Sequence, residues 1–110
     1  MTCKVLISEP AENDLRSILE YIRASNPQAA KDFGIRLVDA IDSLATFPNR
    51  GHVIEELPSC EKTYRQIVVG HYRILYLVQE QTVHVHRILH GARLLDTAVL
   101  EEAEDEGGLP

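Results

Sequence analysis

Tryptophan is absent, methionine occurs only at the first position, and six Phe and Tyr side chains are all the aromatics in 110 residues. The core therefore has to be built mainly from aliphatic side chains. No run of about eighteen apolar residues exists, which removes the signature of a membrane-spanning helix and gives no reason to expect a membrane partner. Residues 1–7 are too short for the apolar part of a secretory signal before Glu9 and Pro10 interrupt them. A cytoplasmic protein is the expectation. Cysteine is scarce as well: Cys3 and Cys60 lack CxxC spacing and read as unpaired packing residues in a reducing compartment. Excess positive charge, the usual mark of a nucleic-acid binder, is also missing, since the formal net charge is −6.

That charge is unevenly placed. Residues 101–106 carry five carboxylates and no base, leaving 12 acids against 11 bases in the first hundred positions. Between Glu61 and Arg93 five bases (Lys62, Arg65, Arg73, Arg87 and Arg93) face two acids, a net of +3. Residues 1–95 are therefore read as one domain. Residues 96–110 are read as an acidic tail, partly disordered, that aids solubility or folds back over the basic patch.

What is present is ordered by periodicity. Lys4–Ile7 is short, apolar and bounded by Ser8-Glu9-Pro10, as a first strand would be. Pro10 suits a first helical turn, and Glu9, Glu12 and Asp14 put negative charge at the positive end of the helix dipole. Ala11, Leu15, Ile18, Leu19 and Ile22 line one helical face as far as Ser25. Asn26-Pro27 restarts a helix, with a capping side chain followed by proline. Ala30, Phe33, Leu37, Ala40, Ile41, Leu44 and Phe47 form its stripe, ended by Pro48-Asn49-Arg50-Gly51. So short a link makes the two helices antiparallel neighbours.

A loop is expected over 52–60, after which the period becomes alternating: 63–69, Tyr72–Gln79 and 82–89 read as strands. Gly70-His71 and Glu80-Gln81 are two-residue hairpin links. Tyr72, Ile74, Tyr76 and Val78 then share a face with Val83 and Val85, and this face should meet the helices. The opposite face carries Arg73, Leu75 and Leu77 beside His84 and His86, expected to be exposed as a docking surface. Strict alternation turns Arg87 toward the core, so the sequence calls for either a paired arginine or a bulge near 87–88 that turns Ile88 inward instead. The fold class is α+β, in β-α-α-β-β-β order, with the helical hairpin on one face of a small, mainly antiparallel sheet.

This order, with Pro10-Ala11-Glu12-Asn13-Asp14-Leu15, Ile18-Leu19-Glu20-Tyr21-Ile22, Asn26-Pro27-Gln28-Ala29-Ala30, Leu44-Ala45-Thr46-Phe47-Pro48-Asn49-Arg50-Gly51, Tyr72-Arg73-Ile74-Leu75-Tyr76 and Arg87-Ile88-Leu89-His90-Gly91-Ala92-Arg93, resembles the RelE/ParE toxin superfamily over about residues 4 to 95. The resemblance implies the toxin of a type II toxin–antitoxin or plasmid-stabilisation system. It would need no cofactor and would be neutralised by an antitoxin, expected to be of ribbon-helix-helix type. RelE-like members cut messenger RNA in the ribosome with a basic cluster that includes lysines on the strand before the Tyr-Arg pair and a tyrosine after the last strand. ParE-like members lack that set and inhibit DNA gyrase. Here Arg73 and Arg93 match arginine positions of the cutting set. About Tyr64 and Gln66 stand at the lysine positions, and about Val99 stands at the tyrosine position.

The cutting reaction, attack of a 2′-hydroxyl on its neighbouring phosphate, needs a base, cations for the developing charge and an acid for the leaving oxygen. Arg73, His90 and Arg93 would have to supply them if the chain is an RNase. The incomplete set and the anionic tail favour instead a gyrase inhibitor of the ParE-like branch, without enzymatic activity. A degenerate, non-toxic binding module is the third reading. Target contacts are expected from Arg65, Arg73, Arg87 and Arg93, with Gly91 setting the direction of Arg93, and antitoxin contacts from Arg73, Leu75, Leu77, His84 and His86. His84 and His86 share a strand face at a spacing that suits zinc, but no third ligand is evident, so no metal is expected. Tyr21, Tyr64 and Tyr76 read as core or interface aromatics.

Overall fold

A computed structural model describes residues 2–54 and 63–91. Cys60, Arg93, Val99 and the acidic run 101–106 lie outside the described residues, so the expectations placed on them are not addressed. The chain runs β1 (Lys4–Ile7), α1 (Glu9–Ser25), α2 (Pro27–Ser43), β2 (His52–Val53), β3 (Tyr64–Val69), β4 (Tyr72–Gln79) and β5 (Thr82–His90).

Local chemistry sets the helix ends. Ser8 caps α1: its Oγ accepts the Ala11 N–H at 3.1 Å, with Pro10 in the first turn. Asn26 serves both helices. Its backbone N–H reaches the Ile22 carbonyl at 2.9 Å to close α1, and its Oδ1 accepts the Ala29 N–H at 3.0 Å to open α2. One residue therefore folds the hairpin.

The sheet order is β1-β5-β4-β3-β2, with β1 parallel to β5 and every other pair antiparallel. The short edge strand β2 sits in a segment expected to be loop. Two residues show no periodicity, and the strand exists because β3 pairs with it. Both hairpin links occur as expected. Gly70 turns with φ +59, whereas Glu80 (φ 48) and Gln81 (φ 65) both occupy the left-handed region that favours glycine or asparagine.

One sheet face packs on the helices. Among the described residues thirteen buried ones form this core, including Ala11, Ile18, Phe33, Leu37, Ile41 and Leu44 from the helical side and Ile74, Tyr76, Val83, Val85 and Ile88 from the sheet. Each large aliphatic group buried there contributes roughly 1.5–3 kcal/mol. Phe47, expected in the stripe, is 63% exposed: α2 ends at Ser43, so the helical period no longer governs its direction.

The opposite face corrects a second expectation. Leu75 and Leu77 are not exposed. They are buried in a separate cluster with Ile54, Tyr64 and Leu89, and Leu75 has no accessible surface at all. Alternation assigned these leucines to the right face but says nothing of what else packs there.

Candidate functional site

Three of the four arginines expected to meet a target, Arg65, Arg73 and Arg87, are held by the fold itself. Arg73 is 9% exposed and donates from Nη1 to Gln66 Oε1 at 3.1 Å on the neighbouring strand. Tyr64, at the other position where the resemblance places a lysine, is buried in the second apolar cluster, its ring edge-on to His86 at 5.3 Å. Arg65 donates from Nη1 to the Gly51 carbonyl at 2.8 Å and more weakly to that of Asn49 at 3.4 Å, pinning the link between α2 and β2. Gly51 has to be glycine there: a Cβ would stand 2.6 Å from the Tyr76 hydroxyl and 2.7 Å from the Gln66 carbonyl. Its N–H donates to the Tyr76 hydroxyl at 2.9 Å. Burial raises the Tyr76 pKa above the ordinary 10.0, against smaller opposing effects of the Gly51 hydrogen bond and of Arg65 and Arg50.

Arg87 resolves the question posed by strand alternation, because both devices are present. The register pairs Tyr76 with Val85 and Leu75 with Arg87, so the bulge falls at His86, one residue earlier than expected. Ile88 turns into the core. Arg87 donates to Asp14 from Nε at 2.7 Å and from Nη2 at 3.0 Å, and the same carboxylate accepts the Ile88 N–H at 3.0 Å. Ser8 fastens the neighbouring turn, its hydroxyl donating to the His86 carbonyl at 2.7 Å. Past the last β1 pairing at Val85, the beginning of α1 thus takes over the edge of β5. Asp14 was legible only as a dipole acid; its partner lies 73 residues away in sequence.

His84 is half-buried and His86 buried, while His90 is exposed at the end of β5. Arg73 lies opposite Leu89 and His90 opposite Tyr72, on alternate faces of the sheet, so the two described residues of the would-be RNase set do not converge. Among the described residues no group of three or more His, Cys, Asp or Glu is arranged to hold a metal ion, and no helix is long and apolar enough to cross a membrane.

His90 belongs instead to a concavity of about 820 Å³ at one end of the hairpin, which sequence reasoning missed. Tyr21 from α1, Phe33 and Arg36 from α2, His71 from the β3 to β4 turn and Tyr72 at the start of β4 complete its principal walls. Phe33 meets Tyr72 at 5.6 Å, Tyr72 meets His90 edge-on at 5.5 Å, and the His71 and His90 rings lie 14° from parallel at 6.4 Å. The guanidinium of Arg36 sits 5.5 Å from the Phe33 centroid. A hint existed in the sequence: Tyr21, three residues after buried Ile18, falls at the margin of the apolar stripe and is 77% exposed.

The family model for the ParE toxin of the parDE type II toxin–antitoxin system matches residues 5–95. Two toxins of Caulobacter vibrioides are similar in sequence. Toxin RelE2 is 42% identical over 82 residues, covering 74% of this chain and 86% of the relative. Toxin RelE1 is 35% identical over 95 residues, covering 83% and 96%. Among solved structures, the chromosomal ParDE system of P. aeruginosa superposes with a TM-score of 0.66 at 17% identity, covering 81% of this chain and 96% of that one. The RelBE2 toxin–antitoxin complex of Mycobacterium tuberculosis gives 0.55 at 21% identity, covering 82% and 99%. The structural likenesses speak to fold, an α+β sheet carrying a helical hairpin; on the sequence match, the chain belongs to the ParE toxin family of type II toxin–antitoxin systems, within the RelE/ParE superfamily.

Proposed function

We propose that this toxin arrests growth in the cytoplasm by binding DNA gyrase, without chemistry of its own, and that a cognate antitoxin neutralises it. The observation that carries the reading is the state of the strand face where RNA-cutting relatives are expected to place cations. Arg73 is buried and bonded to Gln66, and Tyr64 is part of an apolar cluster. Among the described residues, a phosphate developing charge there would meet no array of mobile cations. The match to the ParE toxin family model supports the same reading.

A second reading is kept by the names of the Caulobacter relatives, both RelE toxins. In it the chain is a ribosome-dependent endoribonuclease, and Arg73, His90 and Arg93 carry the reaction. The opposed faces of Arg73 and His90 weigh against that trio.

The antitoxin follows from the similarity to ParDE and RelBE2 assemblies. Of the residues expected to contact it, Leu75 and Leu77 are already covered, whereas His84 is half-buried beside exposed Leu6, its partner on β1, and Val68, opposite Arg73, is exposed. A ribbon-helix-helix partner is the proposed type. Purified chain added to gyrase and relaxed plasmid is expected to block supercoiling, and added antitoxin to restore it. Supercoiling that proceeds unchanged at excess toxin would overturn the reading.

A further inference from the structure

The concavity at the end of the hairpin has no part in the gyrase reading, and it shares only His90 with the RNA-cutting one. Its composition is distinctive for so aromatic-poor a chain: three of the six Phe and Tyr residues, Tyr21, Phe33 and Tyr72, line this one space together with His71 and His90. The other three lie elsewhere, Tyr64 and Tyr76 in the two apolar clusters and Phe47 on the surface. Tyr21 is not there to fill the core, since about three quarters of it is exposed. Ring faces gathered at an open concavity suit a flat aromatic ligand, because stacking of a base on an aromatic side chain is favourable for any base.

Charge at the rim adds a second preference. Arg36 is exposed and, among the described residues, its guanidinium lies against the Phe33 ring, with no carboxylate in ion-pair contact. A guanidinium in that position offers paired donors of the geometry a phosphate accepts. One turn earlier on the same helix, Asp32 also lines the space. Its Oδ1 accepts from Gln28 Nε2 at 3.0 Å, which leaves Oδ2 as an acceptor for a ring N–H or exocyclic amine. The volume, about 820 Å³, is of the size that encloses a small organic ligand.

We propose that this concavity is a nucleotide site that takes a purine monophosphate, the base against the rings of Tyr21 and Tyr72, an amine of the base toward Asp32, and the phosphate at Arg36. A purine is favoured over a pyrimidine because the larger ring system covers more of the aromatic wall. The site is separate from the second apolar cluster and from Arg73, and it shares only His90 with the residues of the RNA-cutting reading.

The test is titration of the full chain with 5′-AMP, 5′-GMP, 5′-UMP and inorganic phosphate, followed by calorimetry and ligand-observed NMR. The purine nucleotides are expected to saturate at about 1 mM or below, UMP to bind more weakly and phosphate alone not to bind. Tyr21→Ala and Arg36→Ala should each weaken AMP binding about tenfold, a loss that one stacked ring or one charge-assisted contact accounts for. Tyr21→Phe should retain it. Both positions are exposed, and melting curves that match the parent would confirm that the variants fold. A short single-stranded oligoadenylate distinguishes the source of the base: tighter binding than AMP identifies a base within a strand, and equal or weaker binding a free nucleotide, either of which upholds the site. Absence of saturable nucleotide binding, or binding indifferent to both alanine variants, would overturn the proposal. So would capture of an acidic aromatic peptide in place of nucleotides, which would make the concavity a protein-docking pocket.

Discussion

The two faces of the sheet are both closed, but by different means. The helix-facing side is a mainly aliphatic core, thirteen buried residues among those described, under an amphipathic hairpin. On the other side a cluster of five buried apolar residues stands among the described residues, bordered by Arg73, whose guanidinium bonds within the sheet. A face that reads as partly charged is therefore not automatically a working surface. Where an arginine is enclosed, its first duty is to its own hydrogen-bond partners, because an uncompensated buried charge costs several kcal/mol. The difference separates cations that hold the fold, Arg65, Arg73 and Arg87, from Arg36, which lies exposed over a ring.

The largest effect should come from treating the second face as though it were exposed. Leu75→Glu loses a buried side chain and introduces a carboxylate without a partner, a combined cost of about 5 kcal/mol or more, comparable to the whole stability of a small domain. Denaturant unfolding should find little folded protein; a stable Leu75→Glu variant would break the comparison. Next is Asp14→Ala, which strands Arg87 and removes the acceptor of the Ile88 N–H. A loss of about 3–5 kcal/mol is expected, with a smaller loss for the double variant Asp14→Ala with Arg87→Met, in which no charge is left behind.

Tyr76 sharpens the helix-facing side. Its pKa is raised by burial, so the folded state holds the phenolic proton more tightly than the unfolded chain. Stability from this group is fully present below about pH 10 and is lost as pH rises through the elevated folded value. Tyr76→Phe should cost about 1–3 kcal/mol at neutral pH by orphaning the Gly51 N–H, and its unfolding free energy should fall less steeply than the parent's on the alkaline side. The smallest effect has the opposite sign. Gln81→Gly relieves a left-handed residue in the β4 to β5 turn and should stabilise by about 1 kcal/mol, seen as a higher melting temperature.

Much of this was legible in the residues. Apolar spacing and the Asn26-Pro27 restart locate both helices, and the two-residue links locate the hairpins, because these signals are local. The assignment of Ile74, Tyr76, Val83 and Val85 to the helix-facing side followed from the same alternation. What escaped depends on contacts between distant segments. Strand β2 is defined by its neighbour, and the partner of Asp14 is on the last strand. Leu75 is buried in a cluster with Ile54, Tyr64, Leu77 and Leu89, which come from separate segments that no single period links. The aromatic concavity draws on both helices, a turn and a strand end, so none of its residues announces the others.

The proposed action is on gyrase, with an enclosed strand face that does not cut RNA. Induced expression followed by mapping of message 5′ ends and plasmid topology in the same cells tests it most directly. Intact messages with loss of negative supercoiling are predicted. Messages cut in register with their codons while supercoiling stays normal, with cutting abolished by Arg73→Ala, would contradict it.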